Sequence, residues 1–240
     1  MYFILIRKQR ETDTPQVSQL VRTGYCSNIR DMFMGALFHE ATGQIAIILT
    51  AVLFIFFQVK LLYCTLCLPT VLLIVYIYIY ITVLMKSAYV MYEKKPLVAW
   101  VAEAYEPFFN TRDPKECVYK VINEDELKQT PEGRKKIIGT IAVMKHSLQS
   151  DWAWLYRAVV DEKYRRKSVA LNLVKAAQEW CKLNQYNRME CAMSEFNEGA
   201  RQLFDKTGFE IKQLYHVNQF GRIYKLQMYL LSAQVRPTFN

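Results

Sequence analysis

The sequence predicts a mixed α/β domain interrupted by a long apolar segment. Short β-like runs and amphipathic helical runs follow one another in the order β, α, α, apolar segment, β, β, β, α, β, α, β, β. Such a mixture is typical of one sheet flanked by helices. The apolar segment, residues 45–85, contains a single charged residue, Lys60. We therefore expect a mixed, mostly antiparallel sheet with an inserted transmembrane helical hairpin.

Local patterns predict the individual elements. Residues 2–7 are β-like, and Thr14-Pro15 opens a helix whose Val17, Leu20 and Val21 share one face. A second helix is expected over residues 27–38. Further strands are predicted at residues 97–104, 118–122, 137–145, 152–160, 188–193, 210–217 and 223–230, with helices after the cationic stretch 163–167 and over residues 197–207.

Three parts follow from this order. Residues 1–40 supply the first strand and helices of the α/β domain, and residues 41–85 form the membrane hairpin. Residues 86–240 form the main domain, with a charged, turn-rich insertion at 106–136.

The apolar segment is too long for one straight crossing. As one helix it would extend roughly 60 Å, twice the hydrocarbon thickness of about 30 Å. Lys60 divides it into residues 41–59 and 61–85, each able to cross, with Lys60 reaching the far headgroups. A single tilted span and a re-entrant segment are the alternatives. Strands are predicted on both sides of the segment. If they join one sheet, the chain must cross the bilayer an even number of times, which supports the hairpin.

Charges predict the orientation. Arg30 precedes the segment and Lys86, Lys94 and Lys95 follow it, so the positive-inside rule places both flanks in the cytosol. We expect an integral protein of an internal membrane such as the endoplasmic reticulum. The segment begins too far along the chain for a secretory signal peptide.

Metal and nucleic-acid sites are not expected. Cys64 and Cys67 lie in the apolar segment without a second cysteine pair or histidines, so we predict no metal site. The net charge of +9 favours an anionic partner, which could be a headgroup, nucleic acid or a phosphorylated cofactor. The sequence contains no motif that is typical of nucleic-acid binding.

Four cations, Lys163, Arg165, Arg166 and Lys167, precede a helix with apolar residues at helical spacing. Cations are unfavourable beside the positive end of a helix dipole. An anion bound among these side chains and the unpaired N–H groups of the first turn would relieve that cost. The alternative interpretation is a solvated basic loop.

Two motifs extend this interpretation to a family. Residues 159–170, VVDEKYRRKSVA, resemble a strand, loop and helix start with the signature Arg/Gln-x-x-Gly-x-Gly/Ala. Residues 197–210, NEGARQLFDKTGFE, resemble the segment Asn-x-x-Ala-x-x-Leu-Tyr-x-Lys-x-Gly-Phe-Glu. The chain resembles the GNAT acyltransferase superfamily, and within it the membrane-anchored camello-like N-acetyltransferases.

The resemblance implies the cofactor site. The pyrophosphate of acetyl-CoA would lie on the N–H groups from Arg165 to Ala170, and the pantetheine arm would pair with the main chain near Val159 and Val160. Asn197 would hydrogen-bond the cofactor. The implied cofactor-binding residues are Val159, Val160, Arg165, Arg166, Lys167, Ser168, Val169, Ala170, Asn197 and Arg201, with Arg166, Lys167 and Arg201 as candidates for a 3′-phosphate.

The chain departs from the pattern twice. Ser168 stands where the signature has glycine. The serine side chain leaves less room for phosphate to approach the backbone, although serine can cap the helix. Phe204 stands where many members have the tyrosine that protonates the departing thiolate. The sequence therefore does not identify the catalytic residues. Candidates are Glu190, Glu195 and Glu103 as bases, Tyr215 and Tyr224 as acids, and His146 or His216.

Three functions are compatible with these observations. The first is an acetyl-CoA-dependent N-acetyltransferase whose acceptor amine, a small molecule or a protein lysine, attacks the thioester directly. The second, suggested by Ser168 and Phe204, is a weak or inactive acyl-CoA-binding membrane scaffold. The third, a channel or transporter, leaves both motifs unexplained.

Overall fold

A computed structural model describes residues 2–58, 60, 63, 66–107, 113–123, 133–219 and 224–236. The strands are β1 (Phe3–Lys8), β2 (Val98–Glu106), β3 (Lys120–Asn123), β4 (Arg134–Lys145), β5 (Trp152–Val160), β6 (Arg188–Ser194), β7 (Glu210–Gln219) and β8 (Tyr224–Gln234). The helices are α1 (Thr14–Cys26), α2 (Ile29–Leu37), α3 (Glu40–Phe56), α4 (Cys67–Ala88), α5 (Val169–Leu183) and α6 (Glu198–Lys206).

The eight strands form one sheet in the order β3-β1-β2-β4-β5-β6-β8-β7. Among the described strands, the parallel neighbours are β1 with β3 and β5 with β6, and the other neighbours are antiparallel. This confirms the predicted mixed, mostly antiparallel sheet flanked by helices. β1, which precedes the apolar segment, lies inside the sheet beside β2, which follows it.

One face of the sheet is covered by α5. The apolar stripe of this helix packs on the central strands, as its spacing predicts. The buried residues of this core include Val169, Leu173, Val174, Ala177 and Cys181 from the helix and Ile138, Leu155, Met189, Cys191 and Leu231 from the strands. Gly139 lets α5 approach, because an added Cβ would lie 3.1 Å from Leu173 Cδ1.

The opposite face is covered by α1, with α2 and α4 beyond it. Val17, Leu20 and Val21 pack on the strand residues Val101 and Ile137. This is the face of α1 that its spacing predicts. In a second layer, Ile29 and Ala36 of α2 pack against Ile79 and Val83 of α4. The end of α4 is therefore anchored on the helical layer of the domain.

The apolar helices expose much of their surface. Ile47, Phe56 and Leu73 are 70%, 78% and 58% exposed. By length and composition, the 27-residue helical stretch Cys67–Glu93 could cross a membrane, and the stretches Glu11–Leu37 and Glu40–Phe56, bent by 62°, qualify only as a pair. Exposed apolar surface of this extent marks a contact with lipid or another protein.

Three details refine the predicted elements. The second apolar helix begins at Cys67 and reaches Ala88, so Pro69 lies in its first turn, where proline is tolerated. The supposed insertion 106–136 contributes an edge strand, β3, which pairs with β1. Most residues between 59 and 65, including Cys64, lie outside the described part, as does the side chain of Tyr224. The prediction of no metal site at Cys64 and Cys67 therefore stays a prediction.

A buried ion triad joins the first strand to the first helix. Arg7 is 6% exposed and contacts Asp13 at 2.6 Å and Glu103 at 2.9 Å. The hydroxyl of Tyr105 also donates to Glu103. The hydrogen bond from Arg7 holds the pKa of Asp13 below its usual range. Glu103, a candidate base, is thus committed to this triad.

Candidate active site

Two neighbouring strands separate in the middle of the sheet. β5 and β6 run parallel but pair over only three residues, the last being Trp154 with Glu190. Beyond that pair, β5 continues along β4 and β6 continues along β8. We call the opening between the C-terminal halves of β5 and β6 the cleft, and the Trp154–Glu190 pair its apex. Backbone groups that face the cleft can pair with an extended ligand.

A bulge shapes the β5 side of the cleft. The pairing of β4 with β5 shifts between Thr140, opposite Val159, and Ala142, opposite Tyr156. Arg157 lies in the bulge with a φ of 57°, in the left-handed region that non-glycine residues rarely adopt. Bulges re-aim the strand that carries them. Val159 and Val160, the predicted pantetheine partners, follow this bulge directly.

Arg157 connects the bulge to two distant segments. It is 5% exposed, and its Nη2 donates to Oε1 of Gln9 at 2.6 Å while Nη1 contacts Sδ of Met91. Within the described residues its Nε has no hydrogen-bond partner. Burial lowers the pKa of this guanidinium. The bulge is thereby attached to the loop after β1 and to the turn after α4.

The cationic loop, residues 161–168, joins β5 to α5. Asp161 accepts the N–H of Lys163, which closes a short helical turn at its start. Ser168 is the N-cap of α5 with a φ of 56°, and its side chain makes no capping hydrogen bond. A left-handed residue at this position explains why the family signature has glycine there. Ser168 therefore occupies the predicted N-cap position without the side-chain hydrogen bond of a serine cap. The N–H groups at the start of a helix have no partner within the helix, so those of the first turn of α5 can bind a ligand.

The four basic candidates point in different directions. Arg165 donates to Ser27 Oγ at 3.1 Å and Arg166 to Gln202 Oε1 at 3.4 Å, both at the surface. Arg201 lies over the ring of Tyr229 at 5.6 Å. The ammonium of Lys167 instead donates to the carbonyl oxygens of Cys117 and Lys115. Arg165, Arg166 and Lys167 share the loop, while Arg201 lies on α6.

The second motif forms the start and core of α6. Asn197 is the N-cap, and its Oδ1 accepts the N–H of Ala200 at 3.3 Å, so its amide nitrogen is the group that could donate to a ligand. Phe204 is buried and packs edge to face on Phe209 at 5.0 Å. Its ring thus belongs to the core, which explains why an apolar residue is stable at this position.

Glu190 is the catalytic candidate at the apex. It is 2% exposed, its Oε1 accepts Nζ of Lys212 at 2.7 Å, and its Oε2 lies 3.4 Å from Nε2 of His146. The Nδ1 of His146 accepts the N–H groups of Leu148 and Gln149, which assigns the ring proton to Nε2. The carboxylate therefore lies in a polar cluster that the sequence did not reveal.

The other candidates are more distant from the apex. Glu195 is exposed after β6, where it accepts the N–H of Gln227. Tyr215 is half-buried on β7 and pairs with Met228, which pairs with Ser194 of β6. Because paired residues share a face and Ser194 and Glu190 are an even number apart on β6, Tyr215 and Glu190 lie on the same face of the sheet.

A tyrosine pair missed by the sequence analysis supports the cationic loop. The hydroxyls of Tyr119 and Tyr164 each donate to Oε1 of Glu106 at 2.6 Å. Tyr164 lies in the loop, Tyr119 precedes β3 and Glu106 ends β2. We call these three residues the tyrosine clamp. Tyr164 between cations was visible in the sequence, but its partners are far away along the chain and no local pattern connects them.

The family model for the Acetyltransferase (GNAT) family matches residues 85–209, slightly more than half of the chain. The chain therefore belongs to the GNAT acetyltransferase family. The matched region begins near the end of α4 and contains the bulge, the cleft, the cationic loop and α6. No curated protein sequence matches the chain.

Solved structures show similarity at low sequence identity. A Bacillus anthracis protein described as a streptothricin acetyltransferase, solved with acetyl coenzyme A, is 18% identical with a TM-score of 0.41, over 59% of this chain and 64% of that one, just under two thirds of its length. A GNAT-family acetyltransferase from Streptococcus pneumoniae is 15% identical with a TM-score of 0.40, over 67% and 77%. A Desulfovibrio desulfuricans protein described as a GNAT acetyltransferase is 11% identical with a TM-score of 0.47, over 97% and 99%.

Glycine at position 168 should stabilise the fold and strengthen binding at the predicted anion site. The left-handed conformation costs a non-glycine residue roughly 1–2 kcal/mol, so the Ser168→Gly variant should unfold at higher temperature. Without the Cβ, we also expect a severalfold lower Kd for coenzyme A. Calorimetric titration and thermal unfolding measure the two effects.

Gln185, exposed after α5 with a φ of 65°, provides the matched control. The Gln185→Gly variant should relieve similar strain while leaving the Kd for coenzyme A unchanged. Weaker binding in the Ser168→Gly variant would contradict the assigned role of this position.

Proposed function

We propose that the protein is a membrane-anchored N-acetyltransferase of the camello-like branch, which transfers the acetyl group of acetyl-CoA to an amine. The observation that carries this proposal is the cleft between β5 and β6, which leads directly into a cationic loop and the free N-terminus of α5. A strand edge suits the amide groups of pantetheine, and a helix N-terminus with cations suits a pyrophosphate. Family membership supports the reaction class.

The proposed chemistry places the reacting groups at the apex. The amine nitrogen attacks the thioester carbonyl carbon, the C–S bond breaks, the thiolate takes up a proton and the amine loses one. We assign the amine proton to Glu190, because its carboxylate lies at the apex and contacts Lys212, whose side chain is 41% exposed and leads to solvent. Positioning alone contributes several kcal/mol to such reactions, on the order of 7–11 in well-oriented models.

An acetyl-transfer assay tests the proposal against the scaffold alternative. The purified full-length protein is incubated with acetyl-CoA and a panel of small amines and lysine peptides, and acetylated products are detected by mass spectrometry. Acetylated products support the enzyme. Binding of acetyl-CoA without transfer to any acceptor would favour the scaffold. Phe204 supports that alternative, because its ring is buried in the core and cannot donate a proton to the thiolate. Absence of binding would contradict both.

We further propose that residues 41–85 anchor the protein in an internal membrane, with the catalytic domain in the cytosol. The exposed apolar side chains of α3 and α4 support this anchor. The pairing of β1 with β2 supports an even number of crossings, because the two strands flank the apolar segment and must lie on one side of the bilayer. The basic flanks Arg30, Lys86 and Lys94 favour the cytosolic side.

Two experiments test the anchor. The protein should remain with membranes after extraction with alkaline carbonate, whereas release would show a peripheral attachment. In intact microsomes, a C-terminal tag should be digested by added protease. A protected tag would place the domain in the lumen and overturn the proposed orientation.

The arginines of the cationic loop should determine the affinity for the donor. We expect the Arg165→Ala/Arg166→Ala double variant to raise the KM for acetyl-CoA about tenfold or more, because each charge-assisted contact contributes roughly 1.5–3 kcal/mol before screening at this exposed site. Steady-state kinetics at two salt concentrations measure the effect. The wild-type KM should rise with salt, and that of the variant should rise less.

The exposed residues Lys175 and Lys182 of α5 provide a control of equal charge. The Lys175→Ala/Lys182→Ala variant should keep the wild-type KM. An equal effect of both double variants would point to general electrostatic attraction in place of a defined site.

A further inference from the structure

The tyrosine clamp is the middle of three attachments that hold the cationic loop. At the start of the loop, Asp161 accepts Nζ of Lys136 at 2.8 Å, and the same ammonium lies over the ring of Tyr164 at 5.5 Å. In the middle, Tyr164 donates to Glu106. Near the end, Lys167 donates to the carbonyl oxygens of Lys115 and Cys117.

The same side chains also contact one another. The rings of Tyr119 and Tyr164 meet edge to face at 5.6 Å, and Nζ of Lys167 lies 5.1 Å from the centre of the Tyr119 ring. Residues 113–119 therefore contact both the middle and the end of the cationic loop. The segment that the sequence suggested was an insertion is a support for the anion-binding residues.

Burial keeps the two tyrosine hydroxyls of the clamp protonated. Tyr164 and Tyr119 are 2% and 9% exposed. Burial, followed by the hydrogen bond to Glu106, raises the pKa of both hydroxyls far above neutrality, so both remain donors. A carboxylate that accepts two such donors makes strong, charge-assisted hydrogen bonds. The clamp thus ties Tyr164 of the loop to the end of β2 and to the residue before β3.

We propose that Glu106, Tyr119 and Tyr164 are positioning residues that hold the cationic loop in the conformation that binds the pyrophosphate of coenzyme A. This inference rests on the proposed function. In this proposal Tyr164 belongs to the loop, Glu106 and Tyr119 hold it in place, and none of the three is assigned to the phosphate. Its effect is thermodynamic: the apparent Kd equals the intrinsic Kd divided by the fraction of molecules whose loop is correctly shaped.

The proposal also assigns a role to Lys167. Its ammonium donates to the carbonyl oxygens of residues 115 and 117, so its side chain holds the loop in place. Of the three side chains predicted for a 3′-phosphate, Arg166 and Arg201 stay candidates.

Variants of the clamp test the proposal in the full-length protein. The Glu106→Ala variant and the Tyr119→Phe/Tyr164→Phe double variant remove the same hydrogen bonds from opposite sides. We expect each to raise the Kd for coenzyme A, and the KM for acetyl-CoA, about tenfold or more. The kcat at saturating donor should stay within about twofold of wild type, because the bound loop is the same. Glu106→Gln, which keeps an acceptor oxygen, should bind almost as well as wild type.

Two matched controls exclude general effects. Tyr186→Phe removes a hydroxyl from a ring that stacks on Trp180, away from the loop, and Glu179→Gln removes an exposed carboxylate from α5. Neither should change the Kd. Wild-type Kd values in the two clamp variants would overturn the proposal. A fall in kcat with an unchanged KM would also overturn it.

Hydrogen exchange separates this inference from the proposed function. In the ligand-free protein, residues 161–168 should exchange faster in Glu106→Ala than in wild type. If wild type fails to bind coenzyme A, the proposed function fails, but this exchange result still decides whether the clamp holds the loop. Equal exchange in the two proteins would overturn the clamp itself.

Discussion

We expect the Glu190→Gln variant to lower kcat for acetyl transfer by about 100-fold or more, the usual contribution of a general base. Glutamine has nearly the same shape and keeps an oxygen that can accept the hydrogen bond from Lys212, but it cannot take a proton. The fold and the KM for acetyl-CoA should therefore stay close to wild type. Steady-state kinetics with saturating acetyl-CoA and an amine acceptor measure this difference.

The neighbours of Glu190 provide the control for a purely structural role. Lys212→Met removes the ion pair but leaves the carboxylate beside Nε2 of His146. If Glu190 serves only to hold Lys212, the Lys212→Met and Glu190→Gln variants should be equally impaired. A kcat of Glu190→Gln close to wild type would assign the amine proton to water and leave catalysis to positioning.

The largest effect on stability is expected at Arg7. The Arg7→Met variant leaves two carboxylates, Asp13 and Glu103, without their buried counter-charge. Breaking a buried ion pair from one side costs about 3–5 kcal/mol. Denaturant unfolding in detergent measures the loss. The exposed Arg22 of α1 is the matched control, because Arg22→Met should change the free energy of unfolding by less than about 0.5 kcal/mol.

The triad also predicts a pH dependence. Arg7 lowers the pKa of Asp13 in the folded protein. The folded state therefore binds fewer protons than the unfolded state in acid, and the contribution is complete above the unfolded pKa of about 3.9. It is lost as the pH falls through the lower folded pKa. An Asp13→Asn variant should lose less stability than wild type in this acidic range, and equal losses would contradict the pairing.

Local patterns were sufficient to predict most elements of the fold. β5 and α5 each bury one face. Burial of one face gives a strand an apolar period of 2 and a helix a period of 3.6, and both periods can be seen in the sequence. The pattern of α1 likewise predicted the buried Val17, Leu20 and Val21. β3 was found as a strand but interpreted as an insertion, because its pairing with β1 joins residues that are distant in sequence.

The site was predictable where one motif contains its parts. The cationic loop, the start of α5 and Asn197 at the cap of α6 lie within two short segments. The loss of glycine at position 168 was visible, whereas its left-handed φ required the structure. The clamp, the Glu190–Lys212 pair and the buried Arg157 each connect residues from separate strands and loops. No local pattern encodes such contacts.

The position of β1 has a consequence for how the protein is made. Ile6 pairs with Ala102, so β1 leaves the ribosome before the apolar helices and its partner leaves after them. Until then β1 has neither neighbour, and contacts so distant in sequence form slowly. The sheet that carries the cleft is therefore completed only after the apolar helices have been synthesised. A mutation that disturbs the membrane insertion of those helices should therefore impair assembly of the sheet around the cleft, even where the mutated residue is far from the cleft.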